Sequence, residues 1–466
     1  MTDLHELPLR ALAAALRDRE VTPVEATAYF LSRIEAHADL GAFAEVTADA
    51  ARERAASLGT PETDPPDLWG VPLADKDLTA RAGVPTRYGS RVHADNVPDR
   101  SDPLALVLDD AGAISLGKTS TPEFGLTGFT ETRIGPPARD PWDPANGAGG
   151  SSGGAAVAVA AGLLPAAPAS DGGGSIRIPA ATVGVVGLKP SRGRVPAGSG
   201  LDSPGGLAVA GAIGRSADDT AMLLDVLAAR PYPYATRAPG DGPFSEASRV
   251  LPGQLKLGVT TTSPWAETMD IRLDPGQKAA LDEAIRVLDG AGHAIEDVPW
   301  EPTGYGEMFM TLWRASAARI AVPDERLGEV EPLTAWLIRE GRALSADRLL
   351  AAYGAATAFE RQTITAFGDL DAVLTPALAL PPQPIGWFAQ DDPERSFARQ
   401  CEYAPYSSFV NVAGLPAITV PVLTDGHPVS VQIIGRPGGE ALILHLAAHL
   451  ERARGPLPWP PLERVR

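Results

Sequence analysis

The sequence has a single cysteine, Cys401, in 466 residues. A lone thiol excludes an intrachain disulfide and a cysteine-ligated metal cluster. No uninterrupted apolar run reaches the ~18 residues that mark a membrane-spanning helix, so a membrane is not an expected partner. Positive charge is scarce: 40 Lys and Arg stand against 58 Asp and Glu, a net charge of -18. Binding a phosphate backbone needs the opposite balance, so nucleic acid is not an expected partner either. Met1 to Arg10 carries early acids and no apolar h-region, so it does not read as a secretory leader, and the expected compartment is the cytoplasm. Histidine is sparse too, with seven in the chain, and none sits in a segment that resembles a catalytic site. His445 and His449 share a helix face, but no glutamate follows His445 and no third ligand is evident. They read as helix-surface histidines, and no metal and no cofactor is expected.

What the chain does have is core-forming material. Hydrophobic residues make up 44% and charged residues 21%, which allows a large buried interior. Apolar residues recur at three- and four-residue steps from Leu7 to Leu40, which predicts two helices, with Thr22 as N-cap before Pro23. Gly59 to Asp67 reads as a connector, Val71 to Leu78 as a short buried strand, Leu104 to Asp110 as a helix and Ala113 to Leu116 as a strand. From Thr127 to Ser216 the chain is rich in Gly, Ala, Ser and Pro. The apolar runs Ala155 to Leu164 and Val183 to Leu188 interrupt it, so it reads as backbone packed closely on backbone or ligand rather than as a linker. A helix is expected over Ala217 to Ala229, capped by Ser216, and a loose connector over Pro231 to Leu251. Then come a strand over Leu255 to Val259, a helix over Gly276 to Ala291 and helical structure over Glu331 to Phe367. The end reads as strands at Ala372 to Thr375, Ala417 to Pro421 and Val429 to Ile434, and a closing helix over Glu440 to Arg452. Helices and strands intermix throughout, which predicts one large α/β body.

Three segments carry chemistry. The first is Gly70-Val71-Pro72-Leu73-Ala74-Asp75-Lys76-Asp77. The second is Gly149-Gly150-Ser151-Ser152-Gly153-Gly154. The third is Ser170-Asp171-Gly172-Gly173-Gly174-Ser175-Ile176-Arg177. In the third, unobstructed N–H groups stand beside a hydroxyl, the pairing that acyl transfer needs between a nucleophile and an oxyanion hole. Gly172, Gly173, Gly174 and Ser175 are the candidate donors; a flexible turn is the other reading of the same glycines. Serine needs a base, and a lysine can serve if its pKa falls from about 10.4 to roughly 7–8, which burial can achieve. Lys76 has apolar neighbours, and in an extended segment Asp75 and Asp77 point to the opposite face.

Together these segments resemble the amidase signature family, over most of the chain. Gly117-Lys118-Thr119, Pro122-Glu123-Phe124-Gly125, Gly184-Val185-Val186-Gly187-Leu188-Lys189-Pro190, Asn411-Val412-Ala413-Gly414 and Gln432-Ile433-Ile434-Gly435 fit it as well. The resemblance implies a single α/β domain over 1–466, with a central mixed β-sheet covered by helices on both faces. Its signature core would span about 67–230 and a more variable, substrate-shaping region about 231–403. In that family the nucleophile follows the first serine of Gly-Gly-Ser-Ser-Gly-Gly by 24 residues, as Ser175 follows Ser151 here. The resemblance therefore implies Ser175 as nucleophile, Ser151 as a bridging serine on a cis peptide bond, and Lys76 as base. Ser152, Asp171 and Arg177 would support them, Arg177 by pairing with Asp171. The implied partner is a small-molecule amide, and a homodimer is left open. One departure is Gly172, where the family usually has threonine, which predicts a looser loop. The aromatic residues Trp313, Trp336, Tyr353, Trp387 and Phe388 could line an apolar pocket or fill the core.

Three other readings compete. Gly112 to Thr119 matches a Walker A pattern, but it contains the apparent strand, and Pro122 blocks the following helix. Gly149 to Gly153 fits the Gly-x-Ser-x-Gly nucleophile elbow of an α/β-hydrolase-like esterase, with His293, His427, His445 and His449 available as bases. A glutamyl-tRNA amidotransferase A-type subunit would keep the family, but such subunits usually carry glutamine where this chain has Ile178.

Overall fold

The computed structural model describes residues 3–195, 203–229, 243–247, 249, 253–424 and 426–462. Among these, eleven strands form two sheets. The smaller sheet has three strands, β1 (Phe43–Val46), β2 (Pro72–Lys76) and β3 (Ile114–Thr119), in the order β1-β3-β2. β2 runs parallel to β3, and β1 antiparallel to it. The larger sheet contains β4 (Ala166–Asp171), β5 (Val186–Lys189), β6 (Val209–Gly214), β7 (Lys256–Val259), β8 (Ala294–Asp297), β9 (Ala372–Pro376), β10 (Ala417–Leu423) and β11 (Val429–Gly435). Their order is β4-β6-β5-β10-β11-β9-β7-β8. β7 is parallel to both β8 and β9, and the remaining pairs are antiparallel. The expected α/β fold with a central mixed sheet is therefore present. No described helix is long and apolar enough to cross a membrane.

Most predicted elements lie within a few residues of their expected places. The first two helices are Leu9–Arg17 and Pro23–Ala36, and Thr22 forms a reciprocal capping box with Glu25. The Walker-like segment is not a phosphate loop: its residues 114–119 form β3, and Lys118 Nζ donates to the carbonyl of Thr79. Of the expected connector from 231 to 251, residues 231–242 lie outside the described residues, and Phe244–Ala247 is a short helix. His445 departs from expectation. It is buried rather than on the helix surface, because Ile443 to Ala447 are all buried, so this stretch of Glu440–Arg454 is covered on more than one face.

Two features position the site. The helix Gly153–Ala160 is buried along its whole length and passes beside the small sheet. A Cβ on Gly154 would lie 2.2 Å from Ser120 N and 2.4 Å from Ala42 O, so only glycine allows that approach. β2 also packs against β4, so that Lys76, at the end of one sheet's strand, meets Ser170, near the end of the other's.

The turn leaving β4 is fixed by a buried polar network. Asp171 and Arg177 are 0% and 1% exposed and pair through Nε–Oδ2 and Nη2–Oδ1 contacts of 3.0 Å each. Asp171 also accepts the N–H groups of Gly174 at 2.7 Å and Ile176 at 3.1 Å, and Asn411 Nδ2 at 2.8 Å. The Arg177 guanidinium reaches Gln432 Oε1 at 2.8 Å, Asn411 Oδ1 at 2.6 Å and the Ser407 carbonyl at 2.9 Å. Burial alone would raise the Asp171 pKa, but the guanidinium outweighs it and holds the carboxyl well below the usual range. Removing one partner of such a pair strands a buried charge, which costs about 3–5 kcal/mol. Arg177→Ala should therefore lower unfolding stability by about 3–5 kcal/mol in denaturant titration; a loss under about 1 kcal/mol would show that the network is not fixing the turn.

Candidate active site

Lys76 closes β2 and is 2% exposed. Its Nζ lies 2.8 Å from Ser151 Oγ, 2.8 Å from Ser152 Oγ and 3.2 Å from Ser170 Oγ. Burial lowers the lysine pKa to about 7, against the opposing pull of Asp171. The neighbouring acids are turned away, as strand alternation predicts. Asp75 is engaged by Arg81 at 2.6 Å, and Asp77 accepts the Arg87 N–H at 3.1 Å.

Ser151 and Ser152 sit at the start of the buried helix, and the Gly150–Ser151 peptide bond is cis, as the resemblance implied. Ser152 Oγ donates to the Ser170 carbonyl at 3.2 Å, and its N–H donates to the Ser175 carbonyl at 3.1 Å. That second bond ties the two serine segments together.

Ser175 follows the glycine turn and is 8% exposed. Its Oγ makes no hydrogen bond to another described residue, and the residue lines a cavity. The structure therefore brings together Lys76, Ser151, Ser152 and Ser170, with Ser175 alongside. The Lys76–Ser151 contact is formed and a Ser151–Ser175 hydrogen bond is not.

The three glycines divide. Gly174 N–H is committed to Asp171, and φ is +127° there, which favours glycine. The N–H groups of Gly172, Gly173 and Ser175 donate to no protein acceptor among the described residues. The space beside Gly172 is not empty: a Cβ there would lie 3.4 Å from the Trp313 ring. A side chain at 172 would pack against this indole.

The cavity beside Ser175 is walled by Leu126, Ile178, Trp265, Phe309, Trp313 and Phe397, and no charged side chain lines it among the described residues. The Phe309 and Trp313 rings stack with centroids 5.5 Å apart, one helical turn from each other on Tyr305–Ala318. Of the five aromatic residues considered from the sequence, Trp313 alone lines this cavity. Phe388 stacks on Phe129, Trp387 packs under Arg399, Trp336 lies under Arg314, and Tyr353 is exposed. A larger cavity of about 880 Å³ lies elsewhere, between Arg215, Glu451 and Trp459, and none of Lys76, Ser151, Ser152, Ser170 and Ser175 lines it.

Sequence reasoning did not assign Asn411, Gln432, Trp265, Phe309 or Ser408 to the site. Gln432, the one amide in the apolar run of β11, carried a usable signal, because a polar group in a buried strand must find partners. The aromatic wall carried none, since such residues fill any core.

The chain's residues 25–444 match the Amidase family model. AmiB2 of Mycobacterium tuberculosis is 35% identical over 470 residues, covering 98% of this chain and 98% of that protein. Among solved structures, 6-aminohexanoate cyclic dimer hydrolase with bound substrate superposes with a TM-score of 0.88 at 28% identity, covering 98% of both chains. A bacterial aryl acylamidase of the amidase signature family superposes with a TM-score of 0.82 at 26% identity, covering 97% of this chain and 96% of that one. The chain belongs to the amidase signature family and is an amidase.

Proposed function

We propose that the protein hydrolyses uncharged, largely apolar carboxamides through an acyl-enzyme on Ser175, with Ser151 as proton bridge and Lys76 as base. The observation that carries this reading is a buried amine with pKa about 7 whose Nζ lies 2.8 Å from Ser151 Oγ. Proton bookkeeping gives the relay a direction. A neutral lysine has two protons and one lone pair. Ser152 gives its only proton to the Ser170 carbonyl, so toward Lys76 it can only accept. Ser170 Oγ is within reach of the second lysine proton. The lone pair is left for the proton of Ser151.

Catalysis begins when a side-chain rotation brings Ser175 and Ser151 within hydrogen-bond reach. Ser151 passes its proton to Lys76 and takes one from Ser175, whose Oγ attacks the carbonyl. The N–H groups of Gly172, Gly173 and Ser175 hold the oxyanion. The relay returns a proton to the leaving amine, and water then cleaves the acyl-enzyme by the same path.

The cavity supports the substrate class. A charged substrate group would lose water there without meeting an opposite charge, which is costly. Glutamine presents two charged groups, and Ile178 stands at the position where amidotransferase subunits carry an amide, so the stand-alone amidase is the better fit. The esterase alternative needs a histidine on Ser151, and Ser151 Oγ bonds to Lys76 instead. The named substrates of the two solved relatives keep cyclic and aryl amides in scope.

A panel of linear, aryl and cyclic amides tests the proposal, with turnover of neutral members and little of charged ones expected. Ser175→Ala and Lys76→Ala should each lower kcat by at least about a thousandfold, and a fluorophosphonate should attach at Ser175. Full activity in Ser175→Ala would reject the assignment. The base works only when unprotonated, so kcat/KM should fall about tenfold per pH unit below about pH 7. A rate that holds constant down to pH 5 would place the base elsewhere.

A further inference from the structure

Ser408 opens the short helix Ser408–Val412 and lines the cavity beside Ser175. Its hydroxyl accepts from Trp265 Nε1 at 3.0 Å and from the Tyr305 hydroxyl at 2.8 Å. An indole N–H can only donate, and a serine oxygen offers two lone pairs and one proton. With both lone pairs occupied, the proton remains, and it reaches no acceptor among the described residues. Ser408 is 5% exposed and is one of the residues lining the cavity, and a Cβ on Gly173 would sit 3.7 Å from its Cβ, so it stands next to the glycine turn. Three other polar side chains of the cavity are tied to protein. Thr127 Oγ1 donates to the Phe129 carbonyl, the Tyr403 hydroxyl pairs with Thr182, and Gln400 is held at both ends of its amide.

We propose that Ser408 is a specificity-determining donor of this pocket. The preferred substrate carries, within an otherwise apolar group, one neutral oxygen acceptor, an ether or a carbonyl, placed to take the Ser408 proton. Trp265 and Tyr305 hold the hydroxyl so that this proton faces the cavity. A carboxylate would also accept, but among the described residues no cation lines the cavity to offset its desolvation. The inference rests on Ser175 being the nucleophile of this pocket. Against a substrate with methylene in place of oxygen, the buried donor is left unpaired, which costs binding in the transition state.

The test uses the full-length protein and a series of p-nitroanilides: hexanoyl p-nitroanilide and analogues in which each chain methylene beyond the α carbon is replaced in turn by an ether oxygen. At least one ether analogue should exceed the hexanoyl parent by about tenfold in kcat/KM. That ratio should fall to about one in Ser408→Ala. Ser408→Cys, which keeps the volume but offers only a weak donor, provides a second reading should Ser408→Ala fold poorly, and the ratio should fall there too. A ratio unchanged in both variants, or a wild type that prefers no ether analogue, overturns the role of Ser408. If Ser175 takes the fluorophosphonate while no ether preference is seen, only this inference fails. If no anilide is hydrolysed and Ser175 stays unlabelled, the catalytic reading fails with it.

Discussion

The account depends on one act of desolvation: the amine of Lys76 is buried where hydroxyls surround it and no carboxylate among the described residues touches it. An amine in water stays charged at neutral pH and cannot serve as a base. Here the low-dielectric setting penalises the charge. The acid whose charge acts on it, Asp171, is held by Arg177, and it opposes the shift without cancelling it. Strand geometry contributes as much as burial does. Alternation along β2 sends Asp75 and Asp77 to the far face, where Arg81 and backbone N–H groups take them up. A chain that placed either acid beside Nζ would keep the lysine protonated.

The architecture divides the work. On the proposed reading, the small sheet brings the base, the start of the buried helix brings the bridging serine, and the turn leaving β4 brings the nucleophile and the open N–H groups. Small residues let these three meet, because Gly154 admits backbone on backbone. The later part of the chain supplies the pocket wall through Trp265, Phe309, Trp313 and Phe397, and braces the turn through Asn411 and Gln432. On the same reading, chemistry and selectivity are set by different stretches of sequence.

Much of this was legible beforehand. Lys76, Ser151 and Ser175 stood out because glycine-rich turns beside hydroxyls, and one lysine in an apolar strand, are unusual compositions with a chemical use. Periodicity located the long helices, since an exposed face leaves a pattern. β4 and β6 were missed. Covered on both faces and built from small residues, they show no alternation to read. The helix Tyr305–Ala318 was missed for a different reason: its aromatic residues fit core and pocket equally well, and only tertiary structure shows that Phe309 and Trp313 face a cavity. The commitment of Gly174 N–H to Asp171 was likewise invisible, because a run of glycines does not reveal which donors the protein has already used.

The most direct test of the central claim is an NMR titration of the Lys76 ε-amine in lysine-labelled protein. The signal is assigned by its loss in Lys76→Arg, which separates it from Lys189, a second buried lysine lowered to about 7. The account predicts a midpoint near 7 for Lys76; a midpoint near the ordinary lysine value of about 10.4 would contradict it.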